Sequence, residues 1–252
     1  MNYIIFDIET NARKYKTDKP QEVIQIGAIK LNESLQEIDQ FSKVVRPTVC
    51  PKLSEFSHKL TGITQEEINR AQSFAIVFKQ FMEWADPQDQ AWVCWGSEDI
   101  RFLKNDCLLN QLTDEVPVEF INLLERFKEH TQSKNDFSLV RALEHLEEEA
   151  IGDSHTAIGD AQNTSIVFKR IFEHVRTMEL DVYKRHPLNS KTRSSIKHIV
   201  KKMIQDNHNL EWEAFLEVIE AKYKNMTTLI NEENVSKIKE YYLREVSMLS
   251  KV

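Results

Sequence analysis

Asp7 and Glu9 stand two residues apart near the end of the run Tyr3-Ile4-Ile5-Phe6-Asp7-Ile8-Glu9-Thr10. In an extended strand alternate side chains share a face, so both carboxylates point the same way. Like charges held that close raise each other's pKa and destabilise the ionised pair unless solvent or a counter-charge compensates them. Two outcomes are open at this point. The strand ends at Phe6 and both acids are wetted as an ordinary surface pair, or a divalent cation holds them. Asp99, and then His155 with Asp160, are the residues farther along whose positions bear on that choice.

The elements that must place these groups are legible as punctuation. Asn11 to Pro20 is a polar loop with Arg13, Lys14, Lys16 and Lys19, serving either an anionic ligand or solvent. Val23 to Lys30 reads as a second strand. A short turn at Asn32 to Ser34 leads into a third at Ile38 to Val45, which favours antiparallel pairing. Phe56-Ser57-His58-Lys59-Leu60-Thr61-Gly62-Ile63-Thr64 reads as a loop carrying a lone imidazole, His58, which either reaches an anion or is structural. Thr64 with Glu67 forms a capping box and predicts a helix start. Phe74, Val77, Phe78, Phe81 and Met82 recur at helical spacing and predict an amphipathic helix that ends near Trp84, before Pro87.

Ala91 to Trp95 is a short apolar strand, and Gly96-Ser97 turns it into a helix with Ser97 as N-cap. Asp99 then falls in the first helical turn just beyond a strand end, where open α/β sheets place ligands. There it is either a ligand-facing group or a favourable charge at a helix N-terminus. Val116 to Leu123 predicts a further strand leading to a helix through Phe127. Ser138 to Leu146 predicts a helix, Glu147 to Glu149 a solvated acidic face, and Ala161 to Arg176 a long helix. Asp160 opens that last helix, with His155 on the loop before it.

The ordered set D-x-E at Asp7 and Glu9, F-x-H-x-L-T-G-I-T from Phe56, W-G-x-x-D ending at Asp99, and H-x-A-x-x-D from His155 to Asp160 resembles the DnaQ-like, or DEDDh, 3′→5′ exonucleases. The resemblance covers about residues 1 to 176. It implies an α/β, RNase H-like fold with a mixed five-stranded sheet flanked by helices, on a domain of residues 1–180. It also implies that Asp7, Glu9, Asp99 and Asp160 are metal-site carboxylates and His155 the general base. Thr10, Asn11 and His58 are expected beside the substrate. Glu98 leaves open which acid of the pair points inward, and the motif register favours Asp99. Trp95-Gly96 and Ile121-Asn122-Leu123 look more like the branch of histone-mRNA and small-RNA exonucleases and sporulation-inhibitor-type relatives than like proofreading subunits.

The expected chemistry is hydrolysis of phosphodiester bonds at the 3′ end of single-stranded nucleic acid, RNA favoured over DNA, releasing nucleoside 5′-monophosphates. Hard oxygen ligands suit two Mg²⁺ or Mn²⁺ ions, and an imidazole that titrates near neutrality suits proton transfer. The alternatives are a DNA-directed exonuclease and a nucleic-acid-binding or regulatory module on the same fold that does not turn over. Three widely spaced cysteines, Cys50, Cys94 and Cys107, suggest neither a disulfide framework nor a zinc site, and Cys94 reads as core. No apolar stretch has the length of a membrane span, so a soluble, cytoplasmic protein is expected.

Residues 181–252 read as a helical C-terminal extension, bounded near Pro187-Leu188-Asn189-Ser190, with helices at Glu211 to Lys224 and Val235 to Leu249. The chain carries a net charge of −7, yet this extension holds 13 Lys and Arg against 10 Asp and Glu. It is expected to contact nucleic acid or a protein partner, or to present a solvated face.

Overall fold

The computed structural model describes residues 1–15, 20–86, 90–112, 116–117, 119–152, 155–183, 188, 190–223, 230 and 235–249. Lys16, Lys19 and Pro87, together with Pro187 and Asn189 of the expected boundary and Lys224 at the expected helix end, lie outside them. The chain forms two compact units, Met1–Lys184 and Arg185–Val252.

The first unit is built on a mixed sheet. Its long strands are β1 (Asn2–Thr10), β2 (Val23–Leu31) and β3 (Glu37–Arg46), joined to β5 (Gln90–Cys94) and β6 (Glu119–Asn122). Two-residue strands, β4 (Gln72–Ser73) and β7 (Asp181–Val182), extend it at the edges. The order is β4-β3-β2-β1-β5-β6-β7, so the sheet is wider than five strands by one short strand on each side. β1 pairs antiparallel with β2 and parallel with β5. Asp181–Val182, counted with the extension in the sequence, pairs with β6 and belongs to this unit.

Period-2 alternation divides β1 cleanly. Ile4, Phe6 and Ile8 face one layer, where α3 (Phe74–Ala85) and α4 (Glu98–Leu109) cover the sheet with Phe78, Phe81, Ile100 and Leu103. Tyr3 and Ile5 face the other, against Phe127 of α5 (Leu123–Thr131), Leu143 of α6 (Leu139–His145) and Phe168 of α7 (Ala157–Arg170). Asp7 and Glu9 continue the second row, so the polar end of β1 emerges on the α7 side. Tyr3 and Phe168 pack with ring centroids 5.0 Å apart, fixing the far end of α7 on the sheet. Burying a ring such as Phe168, which is fully inaccessible, contributes about 2–3 kcal/mol.

At its near end α7 almost touches the backbone of β2. A Cβ placed on Gly27 would lie 2.2 Å from Ala157 C and Ile158 N, and Gly27 is the register partner of Asp7. The glycine is what lets the first turn of α7 reach the face that carries Asp7.

The stretch Glu55–Thr61, read from the sequence as loop, is a helix, α1. Ser54 caps its first turn and Gly62 ends it at φ 73°. Seven residues give too little periodicity to reveal a helix. The capping box at Thr64 and Glu67 is formed and opens α2 (Gln65–Arg70). α8 (Phe172–Val175) follows α7 after a break at Ile171, where one continuous helix was expected.

The second unit packs α9 (Ser190–Gln205), α10 (Trp212–Lys222) and α11 (Val235–Leu249) around Ile196, Val200, Phe215, Ile219, Ile238 and Tyr242. Phe215 and Tyr242 have ring centroids 4.2 Å apart. No helix among the described residues is long and apolar enough to cross a membrane.

Gly27→Ala is expected to cost about 1–3 kcal/mol through overpacking, lowering the melting temperature by about 2–4 °C per kcal/mol for a chain of this size. Gly62→Ala meets no atom within 4 Å and leaves α7 undisturbed, so it separates local left-handed strain from displacement of α7. Equal activity loss in the two variants would contradict this account.

Candidate active site

The carboxylates come from the end of β1 and the starts of two helices. Oxygens of Asp7, Glu9 and Asp160 lie within 4.8 Å of one another, all three side chains being partly exposed. β1 runs on past its last pairing with β5, at Ile5 and Val93. In that gap the backbone N–H of Ile8 donates to the Asp99 carboxylate, which is buried and also accepts from its own N–H. Asp99 thus sits beside the trio, in electrostatic contact with Asp7 and Asp160, but outside the tightest grouping. Glu98 turns outward and pairs with Arg101.

The start of α7 is held from two directions. Thr156 caps the helix by accepting from Gly159 N–H, and Gln25 Oε1 accepts from Ala157 N–H at 3.0 Å. Gln25 is the register partner of Glu9 on β2. His155 precedes the cap, exposed, with φ 62°, a left-handed conformation that few non-glycine residues adopt. Its backbone N–H donates to Asp160 and its ring charge favours the ionised form of that acid.

Burial and mutual repulsion act in one direction on the cluster. Asp7 is raised well above the usual carboxylate range by desolvation and then by Asp99, Asp160 and Glu9. Glu9 is pushed up to about 8 by desolvation and by Asp160 and Asp99. Asp99 and Asp160 are raised chiefly by desolvation, with Ile8 and His155 respectively offsetting part of it. A compact set of hard oxygen donors whose charge is costly fits a divalent cation, and among the described residues no cysteine or histidine joins the trio.

The flanking residues divide. Thr10 Oγ1 accepts from Gln21, and its carbonyl accepts from Ser57 Oγ at 3.0 Å. Asn11, expected beside the substrate, is fully buried, and both ends of its amide are engaged within the protein. It donates to Cys50 and Lys52 carbonyls at 3.1 Å and accepts from Ser54 N–H at 2.9 Å. Its place is therefore in the wall, where it pins the 50–54 segment to the end of β1. His58 Nδ1 pairs with Ile63 O at 2.8 Å, closing the turn after α1. The same helix leaves Phe56 and Leu60 exposed, one turn apart.

Three contributors were not singled out in the sequence. Gln25 and Gly27 seat α7, and the buried Glu22 accepts from the N–H groups of Thr48, Val49 and Cys50 at 2.6–2.8 Å. Only Gln25 and Gly27 carried a signal, a polar residue and a glycine inside an apolar strand.

The comparisons with known proteins agree with this arrangement. The RNase T family model, described as Exonuclease, matches residues 4–168. The chain belongs to this family, in its DEDDh class of 3′→5′ exonucleases. Among individual proteins, it is 24% identical over 158 residues to the probable 3′-5′ exonuclease KapD of Bacillus subtilis, covering 63% of this chain and 77% of KapD. It is 30% identical over 162 residues to rat 3′-5′ exoribonuclease 1, covering 60% of this chain and 47% of the rat protein. The chain thus spans about half the length of that mammalian relative. Its fold matches the nuclease domain of 3′hExo, a DEDDh family member solved bound to rAMP, with a TM-score of 0.66 and 25% identity over 73% of this chain and 96% of that one.

The repulsion has a measurable consequence. With metal removed by chelator, stability is expected to fall as pH rises from about 4.5 towards about 8. The folded pKa is raised, so the stability conferred by the protonated form is complete below the unfolded value and lost as pH passes the folded one. A cation at a hundredfold its Kd then adds about 2.7 kcal/mol. Asp7→Asn is expected to raise the metal-free melting temperature and remove that gain. Thermal melts in chelator and in Mn²⁺ across this pH range check it, and a flat profile in chelator would sink it.

Proposed function

We propose that this chain hydrolyses the 3′-terminal phosphodiester bond of single-stranded nucleic acid, RNA in preference to DNA, releasing nucleoside 5′-monophosphates. The observation that carries the reading is the meeting of Asp7, Glu9 and Asp160 within 4.8 Å, with Asp99 alongside, in a member of the DEDDh family. The preference for RNA is supported by relatives named as exoribonucleases and by a structure in the family with a bound ribonucleotide.

Asp7, Glu9, Asp160 and Asp99 would hold two Mg²⁺ or Mn²⁺ ions. Such ions supply Lewis-acid neutralisation of the phosphate and of the charge that develops on attacking and leaving oxygens. The residues around them do the rest. His155, exposed at the lip of the site, accepts the proton of the attacking water, and its contact with Asp160 orients the loop that carries it. The N-termini of α4 and α7 direct their positive ends at the carboxylates and keep them ionised near neutrality once cations are present.

Phe56 and Leu60 project from α1, which Ser57 ties to the Thr10 and Ala12 carbonyls at 3.0 Å. Their apolar surface, on a helix anchored to the end of β1, suits stacking of a terminal base, worth about 1–3 kcal/mol when an aromatic ring is involved.

On a 3′-hydroxyl oligoribonucleotide, Asp7→Ala is expected to abolish turnover, and His155→Ala to reduce kcat by about 10²–10⁴. Phe56→Ala is expected to raise KM with little change in kcat. Product analysis and matched RNA and DNA substrates provide the readout. Parental activity in Asp7→Ala would refute the mechanism, and faster loss of DNA would move the assignment to a deoxyribonuclease. A non-catalytic module would show metal-stimulated binding without product.

A further inference from the structure

The helix α9 carries Lys191, Arg193, Lys197, Lys201 and Lys202 and no acidic residue. Its buried row, Ile196, Ile199, Val200 and Met203, faces the core of its own unit. Lys197, His198, Lys201 and Lys202 are exposed and span about 7.5 Å of helix axis.

Three exposed helical cations in the first unit have acids at helical spacing. Lys59 pairs with Glu55, Arg70 with Glu66, and Lys79 lies 3.8 Å from Glu83, each acid one turn away. α9 has no acid with which to do this. Lys197 and Lys201 stand one turn apart and repel each other, and Lys191 and Arg193 place positive charge at the helix start, against its dipole. Glu245 of α11 lies 3.9 Å from Lys197 Nζ, an ion pair as loose as that of Lys79 with Glu83, and it is the one acid that α9's exposed lysines reach among the described residues. Lys201 and Lys202 have no ion-pair partner among the described residues. Helix stability does not account for this composition, and it occurs in a chain whose net charge is −7.

We propose that the exposed face formed by Lys197, His198, Lys201 and Lys202 binds the phosphate backbone of the nucleic acid on which the first unit acts. The proposal rests on the reading of that unit as a nuclease. Lysines act on phosphates as mobile point charges, so the contact is independent of sequence and strongly dependent on salt.

The test uses the full chain in chelator, where hydrolysis is stopped, and follows anisotropy of a labelled unstructured single strand across a salt series. The variant Lys197→Gln, Lys201→Gln, Lys202→Gln is expected to reduce the slope of log affinity against log salt by about 2, at about 0.7 per phosphate contact. Arginine at the same three positions keeps the slope, which separates charge from folding. Hydrolysis of a dinucleotide, which offers a single phosphodiester and so little backbone beyond the scissile bond, is expected to be unchanged in the glutamine variant. An unaltered slope and affinity in that variant overturns the proposal. So does a parent whose α9 lysines are needed for binding polyglutamate but not the strand, which would make this face a dock for an acidic protein. Salt-dependent strand binding by a parent that releases no nucleotide with Mn²⁺ would overturn the nuclease reading and leave the α9 contact standing.

Discussion

The first unit depends on holding negative charges together against their repulsion. Asp7, Glu9 and Asp160 bring oxygens within 4.8 Å, and each raises the cost of ionising its neighbours. The cost is borne by contacts made elsewhere. Tyr3 and Phe168 clamp the far end of α7, Gln25 and Thr156 satisfy its first turn, and Gly27 removes the one side chain that would hold it off the sheet. Each contact is ordinary, and together they leave Asp160 no other position.

The sheet supplies the second half of the arrangement by stopping early. β5 pairs with β1 only as far as Ile5 and Val93, so β1 continues alone and Ile8 N–H lacks a strand partner on that side. Asp99, at the start of the helix that follows β5, accepts that bond. The same N–H also donates to Asp7, so one backbone group without a strand partner ties two of the four carboxylates together. On the opposite side of β1's end, Asn11 and Glu22 do the equivalent for the loop before α1, their side-chain oxygens accepting from four backbone N–H groups and the Asn11 amide nitrogen donating to two carbonyls.

Much of this was legible in the sequence because it rests on local pattern. Alternation in β1 placed Asp7 and Glu9 on one face, the strand-to-helix turn at Gly96-Ser97 placed Asp99, and H-x-A-x-x-D placed Asp160 in a first helical turn. The mixed central sheet flanked by helices followed from the family likeness, and its strand order came from the structure. What was not legible depends on partners distant in the chain. Nothing in V-I-Q-I-G-A-I-K says that Gln25 and Gly27 meet Ala157, 130 or more positions later. Asn11 was expected beside the substrate from its place after Thr10 in the family motif, whereas its amide is consumed by the segment around Cys50 and Ser54. α1 escaped notice because about two capped turns have almost no periodicity.

The distribution of charge separates two tasks that one surface cannot perform together. Four acids suited to holding cations repel a polyanion when the cations are absent, so the catalytic cleft alone is a poor place to gain affinity for a nucleic-acid chain. Adding lysines beside the acids would form ion pairs with them and compete with the metal for the same oxygens. A basic helix in a separately packed unit, with its own core around Phe215 and Tyr242, avoids that competition. On the proposed reading, α9 gathers the strand through phosphates whatever the metal occupancy, and the carboxylates act only where cations have already reversed their field.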